Sequence, residues 1–281
     1  MSSATDALTT GHALVLGALH GPAELMPISS SAHVTLVPYL LGWDYARADP
    51  ELRKAFEVAL HAGTAAALLI GLRDEVGATL RGMTPELAAQ LVVASVPAAL
   101  VGFTLEKPIE RRLGTPATIP LGMAAGAVAM GWADRSPRTR SSTEAGMRDA
   151  LWLGLAQACA LIPGVSRNGA TLTAARRRGF ATVDANRLSR RVALPVIGGA
   201  TLLKSLRLVR RGLPEGMAVP FAAGAAASFV STLLSTRVLR AVEREASLSP
   251  YVVYRLAMAA VVLTRAAQGG REPKAPQARS D

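Results

Sequence analysis

The chain has 281 residues, half of them hydrophobic, with a mean hydropathy of +0.29 and a formal net charge of +11. Its single cysteine, Cys159, excludes an internal disulfide and says little about redox compartment. The basic excess invites a nucleic-acid reading, but the charges fall between long apolar runs. Contact with anionic lipid headgroups accounts for them more simply, so membrane lipids are expected as partners and nucleic acid is not.

In chain order, the N-terminus offers neither a basic n-region nor an A-x-A-like site, and no removable signal is expected. An apolar helix beginning near residue 11 runs into "HGPAELMPISSSAH" (20–33). Long apolar runs follow at 57–73, 87–105 and 117–132, then the segment "ALWLGLAQACALIPGVSRNGATLTAARRRGF" (150–180), then further runs at 192–203, 217–234 and 251–263. Most of these runs lack the polar face that a helix of a soluble bundle shows. They are rich in Gly and Ala, which lets helices pack closely in lipid, and flanking residues extend the shorter ones toward the roughly 20 residues of a span. Aromatic residues make up only 4% of the chain, so an interfacial aromatic belt is poorly developed. Lys and Arg lie on both sides of many spans and leave the orientation open. The pattern predicts an all-α integral membrane protein: one polytopic domain over 1–267 and a polar, disordered tail at 268–281.

Two segments interrupt the spans, at about 11–43 and 150–180. Each starts as an apolar helix, meets a proline (Pro27, Pro163), passes through small and hydroxyl residues, and resumes as a helix. "GALHGPAELMPISSS" and "GLAQACALIPGVSRN" echo one another about half a chain apart. A broken helix at membrane depth is tolerated where it is buried in protein or lines a wet cavity, and paired interruptions point to an inverted repeat with its site at the repeat interface. The repeats are expected at about 8–135 and 148–265.

Both breaks carry chemistry. Glu24 in apolar surroundings needs a partner. Ser29, Ser30 and Ser31 follow Pro27, and His33 stands at i+4 or i+3 from Ser29 or Ser30, the spacing of a base that activates a hydroxyl. The N–H groups of the restarted helix favour an anion. His20 and Glu24 are also four apart, with Pro22 between them as a source of distortion. In the second break Arg167 offers a planar fork for phosphate oxygens. Gly164 and Gly169 flank it, and Ser166, Asn168 and Thr171 are further donors. Arg176, Arg177 and Arg178, at the helix end, read as side chains reaching to headgroups. Together the breaks hold a carboxylate, hydroxyls, an imidazole and an anion clamp, the equipment for phosphoryl transfer on a lipid.

"AELMPISSSAH" followed by "PGVSRNGAT" resembles the undecaprenyl-diphosphate phosphatases, or bacitracin-resistance proteins, whose pattern is roughly E-x-x-x-E-F-L-P-[IV]-S-S-[ST]-[GA]-H and then P-G-x-S-R-S-G-[AS]-T. "FEVALHAGTAAALL" and "LSPYVVYRLAMAA" (248–260) match further segments, and the resemblance covers about residues 8–265. It implies an inverted-repeat bundle with two re-entrant helical hairpins in the bacterial cytoplasmic membrane, its site facing outward. The implied activity is hydrolysis of undecaprenyl diphosphate to the monophosphate carrier of peptidoglycan synthesis, with bacitracin resistance as a consequence. Magnesium or calcium is the implied cofactor, and a second copy of the chain is the protein partner it allows. The matching positions are Glu24, Ser29, Ser30, His33, Ser166, Arg167 and Thr171. The roles carried over make Ser30 nucleophile or phosphate ligand, His33 its base, and Arg167 the clamp on the diphosphate. Glu24 then binds the cation or orients His33, while Ser29, Ser166, Asn168 and Thr171 contact substrate.

Two positions depart from the pattern. His20 stands where the family has a carboxylate or amide, which puts metal choice in question, although imidazole also ligates metal. Asn168 replaces a serine and keeps hydrogen-bonding capacity. "RLSRRVALP" (187–195) is more polar than the corresponding family segment. The alternative function is a polyprenyl-phosphate transporter, which needs the anion clamp but no nucleophile and base.

Overall fold

The computed structural model describes residues 7–242 and 247–269, and among these there are helices and no strand. The chain-order elements are α1 (Thr10–Leu25), α2 (Ser30–Leu41), α3 (Pro50–Gly71), α4 (Arg73–Arg81), α5 (Pro85–Leu113), α6 (Ile119–Asp134), α7 (Met147–Cys159), α8 (Arg167–Arg177), α9 (Thr182–Arg211), α10 (Ala218–Val242) and α11 (Ser249–Gly269). Four helices are long and apolar enough to cross a membrane: Pro50–Gly71, Pro85–Leu113, Thr182–Arg211 and Ala218–Arg237. The expected tail at 268–281 falls, beyond its first two residues, outside the described residues.

The two interrupted segments are helical hairpins, α1–α2 and α7–α8. Their arms have 16, 12, 13 and 11 residues. At 1.5 Å rise per residue these reach about 16–24 Å, short of a hydrocarbon core of about 30 Å. Each hairpin is followed by two of the long helices, α3 and α5 after the first, α9 and α10 after the second. The packing is exchanged between halves: α1 lies on α10 and α7 on α5, while α6 meets α8 and α11 meets α2. The equivalent pairs α3 with α9 and α6 with α11 also touch one another. Each of these contacts in one half has a counterpart in the other.

Glycine sets the closest approach. Gly17 and Gly21, four apart on α1, face α10 so tightly that a Cβ on Gly17 would collide with the Gly224 carbonyl oxygen, and one on Gly21 with Ser231. Gly63 on α3 meets the Ala225 carbonyl in the same way. This is the small-residue packing that replaces the hydrophobic drive in lipid.

The breaks are held open by one side chain. Arg255 of α11 is fully buried. Its guanidinium donates to the carbonyl oxygens of Met123 (3.2 Å), Pro27 (3.0 Å), Gly164 (2.9 Å) and Val165 (2.9 Å). Pro27 belongs to the first break and Gly164 and Val165 to the second, so one cation satisfies backbone acceptors that neither hairpin satisfies itself. Gly126 and Gly169 make room for it, since a Cβ at either would strike the guanidinium.

The basic triplet at the end of α8 does not reach out to headgroups. Arg176 is fully buried and donates to the carbonyls of Phe180, Ser136, Asp134 and Pro137. Arg177 stacks 3.7 Å above the Trp132 ring and Arg178 pairs with Asp149 at 2.7 Å. The segment between the halves offers backbone acceptors to Arg176 and an acid to Arg178, and these contacts outweigh the pull of solvent. The polar stretch at 187–195 is also accounted for: Arg187 meets Asp184 and Ser142, Arg190 pairs with Glu75 of α4 at 2.8 Å, and Ser189 bonds Asn168.

Replacing Arg255 by Met should cost about 3–5 kcal/mol, because it strands buried acceptors. Thermal unfolding in detergent should show a lower midpoint for R255M and for Gly126→Val, and no recovery with Arg255→Lys, whose single ammonium cannot reach all four carbonyls.

Candidate active site

Both breaks end on a serine with left-handed backbone. Ser29 (φ 76°) and Ser166 (φ 68°) are the non-glycine residues with positive φ among those described. Each caps the helix that follows: Ser29 Oγ accepts from the Ala32 N–H and Ser166 Oγ from the Gly169 N–H. A non-glycine residue in this region carries strain that surrounding structure must hold, a feature that clusters at functional sites. The consequence is geometric. The strained turn aims the first residues of α2 and α8 at each other across the interface between the halves.

There Glu24, at the end of α1, receives two donors. Ser30 Oγ donates to Glu24 Oε2 at 2.5 Å, and Arg167 Nη2 donates to Glu24 Oε1 at 2.5 Å. Ser30 and Arg167 are the first residues of α2 and α8, so the equivalent position of each half meets one carboxylate. Asn168 closes the joint: its Nδ2 donates to the Leu25 carbonyl at 2.5 Å, and its Oδ1 accepts from Ser189.

Beyond this cluster opens a cavity of about 830 Å³ lined by Glu24, Ser29, Ser30, Ser31, Ser166 and Arg167. Val58, Leu161, Val196 and Ile197 give it an apolar wall. Toward one end Lys54 pairs with Glu110 at 2.6 Å and Lys204 with Glu106 at 2.6 Å. A polar floor, greasy sides and a charged margin suit an amphiphile with an anionic head.

His20 and Glu24 share a face of α1 as expected, since α1 continues through Pro22 to Leu25. Together with His61 of α3 they form a group whose ligand atoms lie within 4.8 Å of one another. His20 is completely buried; its Nδ1 meets Thr64 Oγ1 at 2.9 Å, and its Nε2 has no partner. His61 Nδ1 lies 3.9 Å from Glu24 Oε2 and its Nε2 3.7 Å from Glu57 Oε1.

Some expected assignments change. His33 does not pair with a serine hydroxyl. Its Nδ1 bonds the Ser29 carbonyl oxygen at 2.7 Å and its Nε2 the Tyr254 hydroxyl at 2.5 Å, so both nitrogens are engaged away from the cavity. The helical spacing is as expected, but at i+4 on α2 the ring faces the preceding backbone turn rather than the Ser30 hydroxyl, which Glu24 has taken. Thr171 is fully buried and bonds Ser189 Oγ at 2.5 Å and the backbone of its own helix, which removes it from contact with a ligand. His61, Glu57 and Tyr254 were not singled out from sequence. A His four residues after a Glu inside an apolar run was the available signal for the first two.

A helical membrane protein whose two halves bring a carboxylate, a hydroxyl and a guanidinium to one cavity belongs to the class of proteins that handle anionic lipid headgroups. The family model described as Bacitracin resistance protein BacA matches residues 13–261, and the chain belongs to that family. It is 41% identical over 265 residues to the undecaprenyl-diphosphatase of Geobacter sulfurreducens, covering 90% of this chain and 96% of that protein. The undecaprenyl-diphosphatase of Pelobacter propionicus is 41% identical over 271 residues, and that of Pelotomaculum thermopropionicum 37% identical over 273 residues, covering 94% of this chain.

Because Ser29 sits in the left-handed region, Ser29→Gly should cost only a few tenths of a kcal/mol, whereas Ser29→Val should cost about 2 kcal/mol or more. Chemical or thermal unfolding of the two variants side by side checks the order.

Proposed function

We propose that the protein hydrolyses undecaprenyl diphosphate to undecaprenyl phosphate and inorganic phosphate. The observation that carries this reading is the Glu24 carboxylate, which holds the Ser30 hydroxyl proton on one oxygen and the Arg167 guanidinium on the other. Arg167 is the only one of the three whose preferred partner the substrate itself supplies. A phosphate oxygen entering the cavity competes with Glu24 for the guanidinium and forms the bidentate contact that Arg favours. Glu24 is then left to Ser30 alone.

The reaction balances as follows. Glu24 accepts the Ser30 proton as Oγ bonds the terminal phosphorus. The bridging P–O bond breaks, and undecaprenyl phosphate leaves. Water then attacks the phosphoserine; inorganic phosphate departs, and the proton returns to Ser30 through Glu24. Arg167, with the N–H groups at the starts of α2 and α8, holds the charge on the transferring group. His33 keeps the strained Ser29 turn in place by its bond to the Ser29 carbonyl and so acts on the site only through the backbone. The reading includes a divalent cation held by Glu24, His20 and His61, which when bound would neutralise charge on phosphate oxygens.

The membrane is the bacterial cytoplasmic membrane, where this substrate is recycled, and the cavity faces its outer side. The two hairpins belong to halves of opposite orientation, the arrangement that paired interruptions with one site at their interface favour.

Phosphate release by detergent-purified protein tests the reading. Glu24→Gln, Ser30→Ala and Arg167→Ala should each lower kcat/KM about 10²–10⁴-fold, while His33→Gln should cost less than about 10-fold. Acid-quenched turnover should yield a phosphopeptide at Ser30. Wild-type activity in Ser30→Ala rules out the serine as nucleophile, and a collapse in His33→Gln equal to that in Glu24→Gln returns the base to His33.

A further inference from the structure

The donor set beside the site does not suit the hard cations expected from the family resemblance. Magnesium demands a near-octahedral shell of oxygens and calcium takes six to eight. His20, Glu24 and His61 offer two imidazoles and one carboxylate. This is the two-histidine, one-carboxylate set of open catalytic zinc sites. The family pattern has a carboxylate or amide at the His20 position, so this chain has exchanged an oxygen donor for nitrogen there.

The geometry points to a site for a borderline divalent ion of the zinc class, bound by His20 Nε2, His61 Nδ1 and a Glu24 oxygen. His20 Nε2 is the decisive atom. It belongs to a completely buried side chain, has no hydrogen-bond partner, and its residue is grouped with the other two ligands within 4.8 Å. A buried, unsatisfied polar atom calls for something that fills it. Its ring is already fixed for ligation: Nδ1 is bonded to Thr64 Oγ1 at 2.9 Å, and Thr64 is in turn bonded to Ser228 Oγ at 2.7 Å and Thr232. Metal-bound histidines are oriented by such an outer contact on their second nitrogen. On the other ring, His61 Nε2 faces Glu57 at 3.7 Å, the carboxylate–histidine arrangement of the same kind. The two elements that bring the three ligands, α1 with His20 and Glu24 and α3 with His61, are both clamped against α10 by glycine contacts at Gly17, Gly21 and Gly63. Tetrahedral ligands at zinc bond lengths stand roughly 3.4 Å apart, so the present spread of up to 4.8 Å closes by roughly an ångström on an ion. Glu24 and His61 line the large cavity, which leaves the fourth position open toward the phosphate-binding region.

This deepens the proposed function by naming the class of its cation, and it stands on a readout that does not need turnover. Full-length protein in detergent, stripped with chelator, is titrated with cobalt as a spectroscopic probe and then challenged with zinc, magnesium and calcium. The expected result is one cobalt per chain with the intense visible bands of a four-coordinate site. Equimolar zinc should displace it, and a thousandfold excess of magnesium or calcium should not. Thr64→Val, which leaves every ligand in place, should weaken cobalt about 10–100-fold. His20→Glu should weaken it at least as much and should gain affinity for magnesium or calcium. Absence of cobalt bands in folded wild type, or equal cobalt affinity in wild type, Thr64→Val and His20→Glu, overturns the inference. Phosphate release supported by magnesium without cobalt or zinc binding sinks the zinc-class site and leaves the phosphatase. Tight zinc binding without phosphate release from undecaprenyl diphosphate leaves the site and sinks the phosphatase.

Discussion

Arg255 sets the terms for the rest of the molecule. A helix interrupted at membrane depth exposes carbonyl oxygens that lipid cannot satisfy. Both breaks here send such oxygens toward one point, and the guanidinium of α11 meets three of them together with the Met123 carbonyl of α6. A charge this deeply buried is itself costly. It is stable there because its planar fork matches four acceptors at once, which an ammonium could not do. The breaks and the buried cation therefore require one another. Remove either, and the other is an unpaired polar group in an apolar core.

With the breaks anchored from behind, their front edges are free to serve chemistry. The left-handed serines turn α2 and α8 so that their N-termini converge, and Glu24 sits between them. Glu24 and Arg167 are 143 positions apart, so the site exists only when both halves are folded and docked. That is the physical reason a duplicated fold suits this task. Each half contributes a helix N-terminus whose N–H groups favour an anion, and the cavity opens beside the interface between them.

The spans and both breaks were legible in the sequence because hydropathy and proline report on them directly. So were Glu24, Ser30 and Arg167, since a charged or hydroxyl residue inside an apolar run has few structural reasons to be there. What the sequence could not give was the pairing. His33 stands at the right helical spacing from Ser29 and Ser30, yet spacing does not say which group across the interface claims the hydroxyl first. Arg176 and Arg178 look like headgroup anchors because they end a helix, but the Ser136 carbonyl of the loop before α7 takes the first and Asp149 at the start of α7 the second. Arg255 and His61 carried the same signal as Glu24, a lone polar residue in an apolar run. They lie in helices that are not interrupted, where nothing local marks the long-range contact.

The histidines show how a local change can spread through such a site. A carboxylate at position 20 would face Glu24 across one helical turn, and two acids there need a cation or a proton between them. An imidazole relieves that repulsion without one. It also leaves Nε2 without a hydrogen-bond partner, while Thr64 holds the ring through Nδ1. The Glu24 carboxylate accepts from Ser30 and Arg167 at once. Histidine at position 20 thus bears both on the ion proposed for the site and on the two oxygens that the carboxylate divides between the halves of the protein.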